Sequence, residues 1–173
     1  FKTVDMTQLE PYIQNPNRNV VRMLLKTLAY EHQDDLLPAK WEIEHIFPQK
    51  WQTNYFPDEP DATIKEKIEH IGNKLPFEKK LNIVAGNGYF GKKKKEYIAS
   101  KIVITKAMGT SDVMDWNLES ITKRDIRVSD EVVKIMNRWN NEYLNTPVSE
   151  GKAGEPSEEE LAQIEKFKKN GWI

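Results

Sequence analysis

Glu44 and His45 stand side by side in "WEIEHIFPQKW" (41–51), and an imidazole next to a carboxylate can move a proton and help hold a cation. Histidine suits general-base work because its ordinary pKa lies close to working pH. Neighbouring side chains of a regular strand point to opposite faces. Glu44 and His45 can therefore share a site only where the strand ends. Pro48, which has no N–H for a ladder, predicts that end. Two asparagines could join the pair, Asn73 in "IGNKLPF" and Asn82 in "EKKLN". An amide oxygen can accept from a histidine N–H and so fix the ring's tautomer and orientation. A second amide oxygen beside the Glu44 carboxylate would suit a hard cation. Mg²⁺ often takes one or two protein ligands and leaves the rest to water and substrate phosphate. Together the four residues would make a sparse one-metal phosphodiesterase centre.

Taken singly, each has a plainer reading. Asn73 follows Gly72 as turn chemistry, Asn82 suits a helix cap or the surface, and a Glu-His pair arises by chance. Of the other two histidines, His70 reads as a structural or surface residue on a helix with Ile64, Ile68 and Ile71. His32 reads as a helix-end residue, with a His32, Asp34, Asp35 metal site as the weaker alternative. Trp41 and Trp51 read as packing residues.

The elements that must position these residues are mostly helical. Residues 6–34 read as helix with an interruption near Pro16, and Asn15-Pro16-Asn17 is a helix-start signal. Alternation at 41–46 suits a short strand. "ATIKEKIEHI" carries isoleucines at helical spacing, Gly72-Asn73 is a turn, and "KLPF" is a short return strand that Pro76 confines to an edge. "EKKLN" opens a short helix, broken at Gly86-Asn87-Gly88. The spacing predicts one longer helix over 90–108 and two helices over 117–144, with Asn117 and Ser129 as N-caps. From Thr146 the chain reads as a linker followed by a short amphipathic segment. The fold class expected is α+β, mostly helical around a very small β element.

Composition narrows the chemistry further. The 173 residues suit one domain with an appendage, and the start at Phe1 is expected of a fragment of something longer. Without cysteine there is no disulfide, thiolate metal site or cysteine nucleophile. No apolar run approaches the roughly 18 residues of a membrane span, and no signal-peptide pattern opens the chain. The net charge of −1 hides a basic block. Between Lys74 and Lys106, nine lysines stand against Glu78 and Glu96 alone. Such a block suggests one surface facing a polyanion, or a solvated lysine-rich helix.

"IEHIFPQKW", "IGNKLPF" and "LNIVAGNGYFGKKKKEY" resemble the HNH nucleases, also called ββα-metal or His-Me finger endonucleases. More narrowly the chain resembles the C-terminal domain of GmrSD-like bacterial restriction proteins, whose N-terminal partner is a ParB-like NTPase domain. That family's E/D-H-x-x-P motif is met by Glu44, His45 and Pro48, and its I-G-N segment by Ile71, Gly72 and Asn73. Its N…N…F-x-x-K…Y stretch is met by Asn82, Asn87, Phe90, Lys93 and Tyr97. Trp116, Ile121 and Arg124 match a W…I-x-x-R segment, and Trp139 fits a late tryptophan. The resemblance covers about residues 15–145. Lys74 and Pro76 depart from the usual apolar run, and the tail after Thr146 matches nothing.

The resemblance implies a small ββα-metal core surrounded by helices. The nuclease domain would be 1–146, with a helical part at 1–36, the core at about 38–90 and a helical part at 91–146; 147–173 would be the linker and C-terminal segment. It implies His45 as general base, Asn73 orienting it, and Glu44 and Asn82 holding one divalent cation, Mg²⁺ or Mn²⁺. Asn87 would be a further candidate for the site. Lys92, Lys93, Lys94 and Lys95, with Lys101, would contact phosphate, Lys93 first and Arg124 next. The implied activity is DNA cleavage leaving 5′-phosphate and 3′-hydroxyl ends, in restriction and phage defence in a bacterial cytoplasm. The implied partners are DNA and the NTPase domain, attached or associated, with no membrane. Nicking or double-strand cutting depends on dimerisation, and a homodimer stays open. A DNA-binding module that cuts nothing and an RNA nuclease are the competing readings.

Overall fold

The structure is a computed structural model that describes residues 5–14, 17–52, 58–145, 161, 162 and 165. The chain divides into two compact units, Phe1–Asn140 and Asn141–Ile173. All the candidate site residues lie in the first. The linker expected at 147–160 and most of the amphipathic segment lie outside the described residues; residues 161, 162 and 165 are helical.

The first unit is helical around a two-stranded antiparallel sheet. Helices α1 (Met6–Ile13) and α2 (Arg18–His32) lead into β1 (Trp41–His45), then α3 (Asp61–Ile68) and a 3-10 turn (Ile71–Asn73). Strand β2 (Lys74–Glu78) runs directly into α4 (Lys79–Ala85), giving a ββα unit. Helices α5 (Phe90–Ile98), α6 (Val103–Thr110) and α7 (Leu118–Asn145) follow. Asn17 caps α2, its side chain accepting from the Asn19 N–H at 2.9 Å. Pro76 sits opposite Ile43 in the ladder, which a sheet of only two strands tolerates because each strand keeps an unpaired edge.

Two apolar cores flank the sheet. One joins Leu24, Leu25 and Leu28 of α2 to Trp41 and to Val128, Val132 and Ile135 of α7. The other joins Leu75 and Phe77 of β2 to Ile64, Ile68, Phe90, Tyr97 and Trp116. The tryptophans at 41 and 51 pack as expected, and the Arg22 guanidinium stacks 3.8 Å over Trp41. Among the described residues no helix is long and apolar enough to cross a membrane.

Two helix boundaries differ from the sequence expectation. The helix predicted over 90–108 is two, because the Glu78 carboxylate intercepts the chain between them. It accepts from the Ser100 hydroxyl at 2.8 Å and from the Lys101 N–H at 2.7 Å. The Ser100 hydroxyl in turn accepts from the Ile102 N–H. The two helices predicted over 117–144 are one. Asn117 caps it as expected, accepting from the Ser120 N–H at 2.9 Å. Ser129, expected as a second cap, is buried mid-helix. Its neighbours Arg124, Asp125, Val128 and Val132 form a continuous buried face, and packing along that face overrides the local capping signal.

Candidate active site

β1 ends at His45, and Ile43, Glu44 and His45 line one cleft of about 210 Å³. Asn82 of α4, then Gly86, Asn87, Lys93 and Gln49, complete its walls. Glu44, His45, Asn82 and Asn87 line it together, whereas Asn73, grouped with the first three by order and spacing, does not. Gly86 ends α4 with φ at +55°, a backbone region that glycine enters without a Cβ clash. That bend returns the chain to the cleft.

Asn73 fixes the turn after His45 rather than the imidazole itself. Its Oδ1 accepts from the Phe47 N–H at 2.7 Å and the Trp116 indole N–H at 3.2 Å. Its Nδ2 donates to the carbonyls of Phe47 and Ile68. Its backbone carbonyl accepts from the Ile46 N–H at 2.8 Å. Fully buried and so occupied, the amide has no oxygen left for the direct contact to His45 that was expected. An amide suits the position because its oxygen accepts two bonds while its nitrogen donates two. Asn87 does similar work, its side chain exchanging two bonds with the backbone of Lys50.

α7 clamps the same turn from outside. One guanidinium nitrogen of Arg124 donates to the carbonyls of Ile71, Gly72 and Lys74 at 3.2, 2.8 and 2.8 Å. The Asp125 carboxylate accepts from the Gly72 N–H at 2.7 Å and pairs with His70 Nδ1 at 2.8 Å. Burial pulls that carboxyl upward, but the bonds from His70, Gly72 and Gln14 together take it below the ordinary value. A Cβ on Gly72 would lie 2.3 Å from the Ile121 carbonyl oxygen, so the turn touches α7 as only glycine allows. His70 is therefore structural, though it lies in the turn after α3 rather than on the helix. His32 pairs with Glu131 at 2.5 Å, not with Asp34 or Asp35.

Two of the residues expected on phosphate are not available for it. Lys93 is 1% exposed; its ammonium pairs with Glu44 Oε1 at 2.8 Å and donates to the His45 carbonyl. Burial draws its pKa down, and Glu44 opposes that. Arg124 is 7% exposed and its Nη1 is held by the turn; burial brings its pKa to about 10, so it stays charged. Both cations are held inside by long-range partners. Lys94 is half-buried and ties the Ser111 and Val113 carbonyls. Lys92, Lys95 and Lys101 are exposed.

Around Glu44 the chemistry is asymmetric. Oε1 takes both Lys93 and the Tyr97 hydroxyl, the latter at 2.7 Å, and burial with the nearby carboxylate pushes the Tyr97 phenol up, so it stays a donor. Oε2 keeps no protein partner among the described residues. Among the described residues there is no cluster of three or more His, Cys, Asp or Glu able to hold a metal. A cation here would therefore rest on one carboxylate oxygen, one amide oxygen of Asn82 and solvent. That sparse donor set fits Mg²⁺ or Mn²⁺ met by a substrate phosphate.

The sequence reading missed the partners of the His45 ring, which are Glu69, Gln49 and, through Glu69, Lys74. His45 Nε2 lies 3.3 Å from either oxygen of Glu69. Gln49 Nε2 approaches Glu69 Oε1 at 3.3 Å, and the Lys74 ammonium pairs with Oε2 at 3.0 Å. A signal was present in "EKIEHIGNK", where Glu69 precedes the turn residue Asn73, but His70 beside it is the more conspicuous residue. Burial lowers the His45 pKa below the ordinary value; Glu69 opposes it and Lys74 adds to it. The shift favours the neutral ring, the form able to accept a proton. A larger cleft of about 420 Å³ between α2, α6 and α7 contains none of Glu44, His45 or Asn82.

The family model described as "GmrSD restriction endonucleases, C-terminal domain" matches residues 6–128. No curated protein and no solved structure matches the chain.

Proposed function

Because the chain belongs to the family of GmrSD restriction endonuclease C-terminal domains, we propose that its 210 Å³ cleft hydrolyses DNA phosphodiester bonds as an HNH-type (ββα-metal) centre. The family implies a restriction-related nuclease role in defence. The observation that carries the finer reading is the convergence of Glu44, His45 and Asn82, from the end of β1 and the middle of α4, on one cleft.

In this reading His45, which lines the cleft, takes a proton from the attacking water. Lys93 and Tyr97 fix the Glu44 carboxylate through Oε1 and leave Oε2 for a cation, and Asn82 of α4, on the same cleft, would offer its amide oxygen. Those two groups would hold one Mg²⁺ or Mn²⁺, which when bound supplies Lewis-acid stabilisation of charge at the phosphate. Asn73 and Arg124 act one step away by holding the turn that shapes the His45 loop. Lys92 and Lys95 neutralise backbone phosphates, which positions a duplex without reading its sequence. A ParB-like NTPase domain, attached or associated, would govern access to the substrate in a bacterial cytoplasm.

Plasmid conversion with Mg²⁺ or Mn²⁺ tests this, with His45→Ala and EDTA alongside the wild type. Metal-dependent nicking or linearisation that disappears in His45→Ala is the expected result. Cutting that survives the substitution would place the chemistry elsewhere. A plasmid left intact but shifted on a gel would favour a DNA-binding module. The lysines have a separate test, the salt dependence of DNA binding by the double variant Lys92→Gln, Lys95→Gln. The slope of log affinity against log salt should fall by about 2, one for each phosphate that is no longer neutralised. An unchanged slope would remove both lysines from the DNA surface.

A further inference from the structure

We infer that Glu69 is a positioning residue for His45: its carboxylate accepts the Nε2 proton and so leaves Nδ1 as the nitrogen that takes a proton from water. The inference rests on the nuclease reading above and assigns to Glu69 the task that Asn73 is too occupied to perform.

Three observations carry it. First, the ring's Nε2 faces the Glu69 carboxylate, 3.3 Å from either oxygen, while Nδ1 has no protein hydrogen bond among the described residues. Second, Glu69 is itself fixed. Its Oε2 pairs at 3.0 Å with Lys74, whose side chain is 3% exposed. Lys74 is His45's partner in the β1–β2 register, so ammonium and imidazole leave the sheet on one face with the carboxylate between them. Third, the competing bond is weaker. Gln49 Nε2 lies 3.5 Å from His45 Nε2, at the limit of hydrogen bonding, and has a shorter approach of 3.3 Å to Glu69 Oε1. An ionised acceptor at 3.3 Å outweighs a neutral donor at 3.5 Å, because charge-assisted bonds are roughly twice as strong. Nε2 is therefore the protonated nitrogen.

The consequence is catalytic readiness. A neutral imidazole without a partner divides between two tautomers, and only the one protonated on Nε2 leaves the Nδ1 lone pair free to take a proton. Holding the proton on Nε2 keeps the whole population in the useful form, and the carboxylate then steadies the imidazolium formed on proton transfer.

Long-range ¹H–¹⁵N spectra of the imidazoles test the bond directly, since the chain has only three histidines. His45 is assigned by the signals that disappear in His45→Gln. In the wild type the neutral ring should carry its proton on Nε2, with Nδ1 at an unprotonated shift. Glu69→Ala should move the ring to a tautomer mixture and lower kcat for plasmid cleavage roughly 10- to 100-fold, as for other partners that fix a working imidazole, with KM little changed. Glu69→Gln, which keeps an acceptor and the side-chain shape, should restore most of both. A wild-type ring protonated on Nδ1, or one whose nitrogen shifts ignore Glu69→Ala, would overturn the assignment. The spectra decide it even with a plasmid that stays intact, an outcome that would count only against the nuclease reading.

Discussion

Lys93→Met is expected to cost the chain about 3–5 kcal/mol of folding stability, because it strips a buried carboxylate of its counter-ion. Lys93 and Glu44 face each other at 2.8 Å with side chains 2% and 4% exposed. Methionine fills most of the lysine's volume but leaves Glu44 with the Tyr97 hydroxyl alone and frees the His45 carbonyl as well. Thermal unfolding should show a midpoint lower by roughly 6–20 °C, at about 2–4 °C for each kcal/mol in a chain of this size. The double variant Glu44→Gln, Lys93→Met gives the sharper measurement. A neutral amide still accepts from Tyr97 and needs no cation, so much of the stability should return, with a coupling energy of about 1–3 kcal/mol. A phosphate-binding lysine would behave otherwise, with stability untouched and no coupling to Glu44.

The second large effect belongs to Arg124→Met. Three carbonyls, those of Ile71, Gly72 and Lys74, lose their common donor, and each buried acceptor left alone costs about 1–3 kcal/mol. The sum is on the order of 3–5 kcal/mol once some relaxation is allowed. The turn it clamps also carries Asn73, which holds Ile46 and Phe47 beside His45. Cleavage should therefore fall with stability, even though Arg124 is not among the residues lining the cleft. Chemical denaturation without DNA reads the first effect. Binding of DNA by the folded fraction should keep the wild-type salt slope. A normal denaturation midpoint with a slope lowered by about 1 would return Arg124 to the DNA surface.

The two substitutions concern residues whose place depends on the fold rather than on local sequence. What the sequence by itself determined is the backbone frame of the site. Pro48 ends the strand at Glu44-His45, Gly72-Asn73 makes the turn, Asn17 and Asn117 cap their helices, and Asn82 follows on the short helix. Except at Gly72-Asn73, which α7 and the Phe47 backbone also hold, each is a matter of dihedral preference or a hydrogen bond to a residue two or three positions away, so a short window contains the cause. The match of those residues to a family pattern then groups Glu44, His45 and Asn82 as one site.

Only the tertiary structure decided which cations lie inside and which partners the histidine has. The family pattern sets Lys93 apart in "GKKKKEY", but nothing local marks it as buried until a carboxylate from β1 meets it. Lys93 is drawn in because Glu44 is there, whereas Lys92 and Lys95 keep their hydration. The continuous α7 and the break between α5 and α6 follow the same rule. A buried face carries the helix through Ser129, and the Glu78 carboxylate from β2 stops it at Ser100. Glu69 reaches His45 only because the antiparallel register sets Lys74 beside the ring. Burial and charge pairing are sums over distant segments, and their energies exceed the few tenths of a kcal/mol by which neighbouring residues bias the chain.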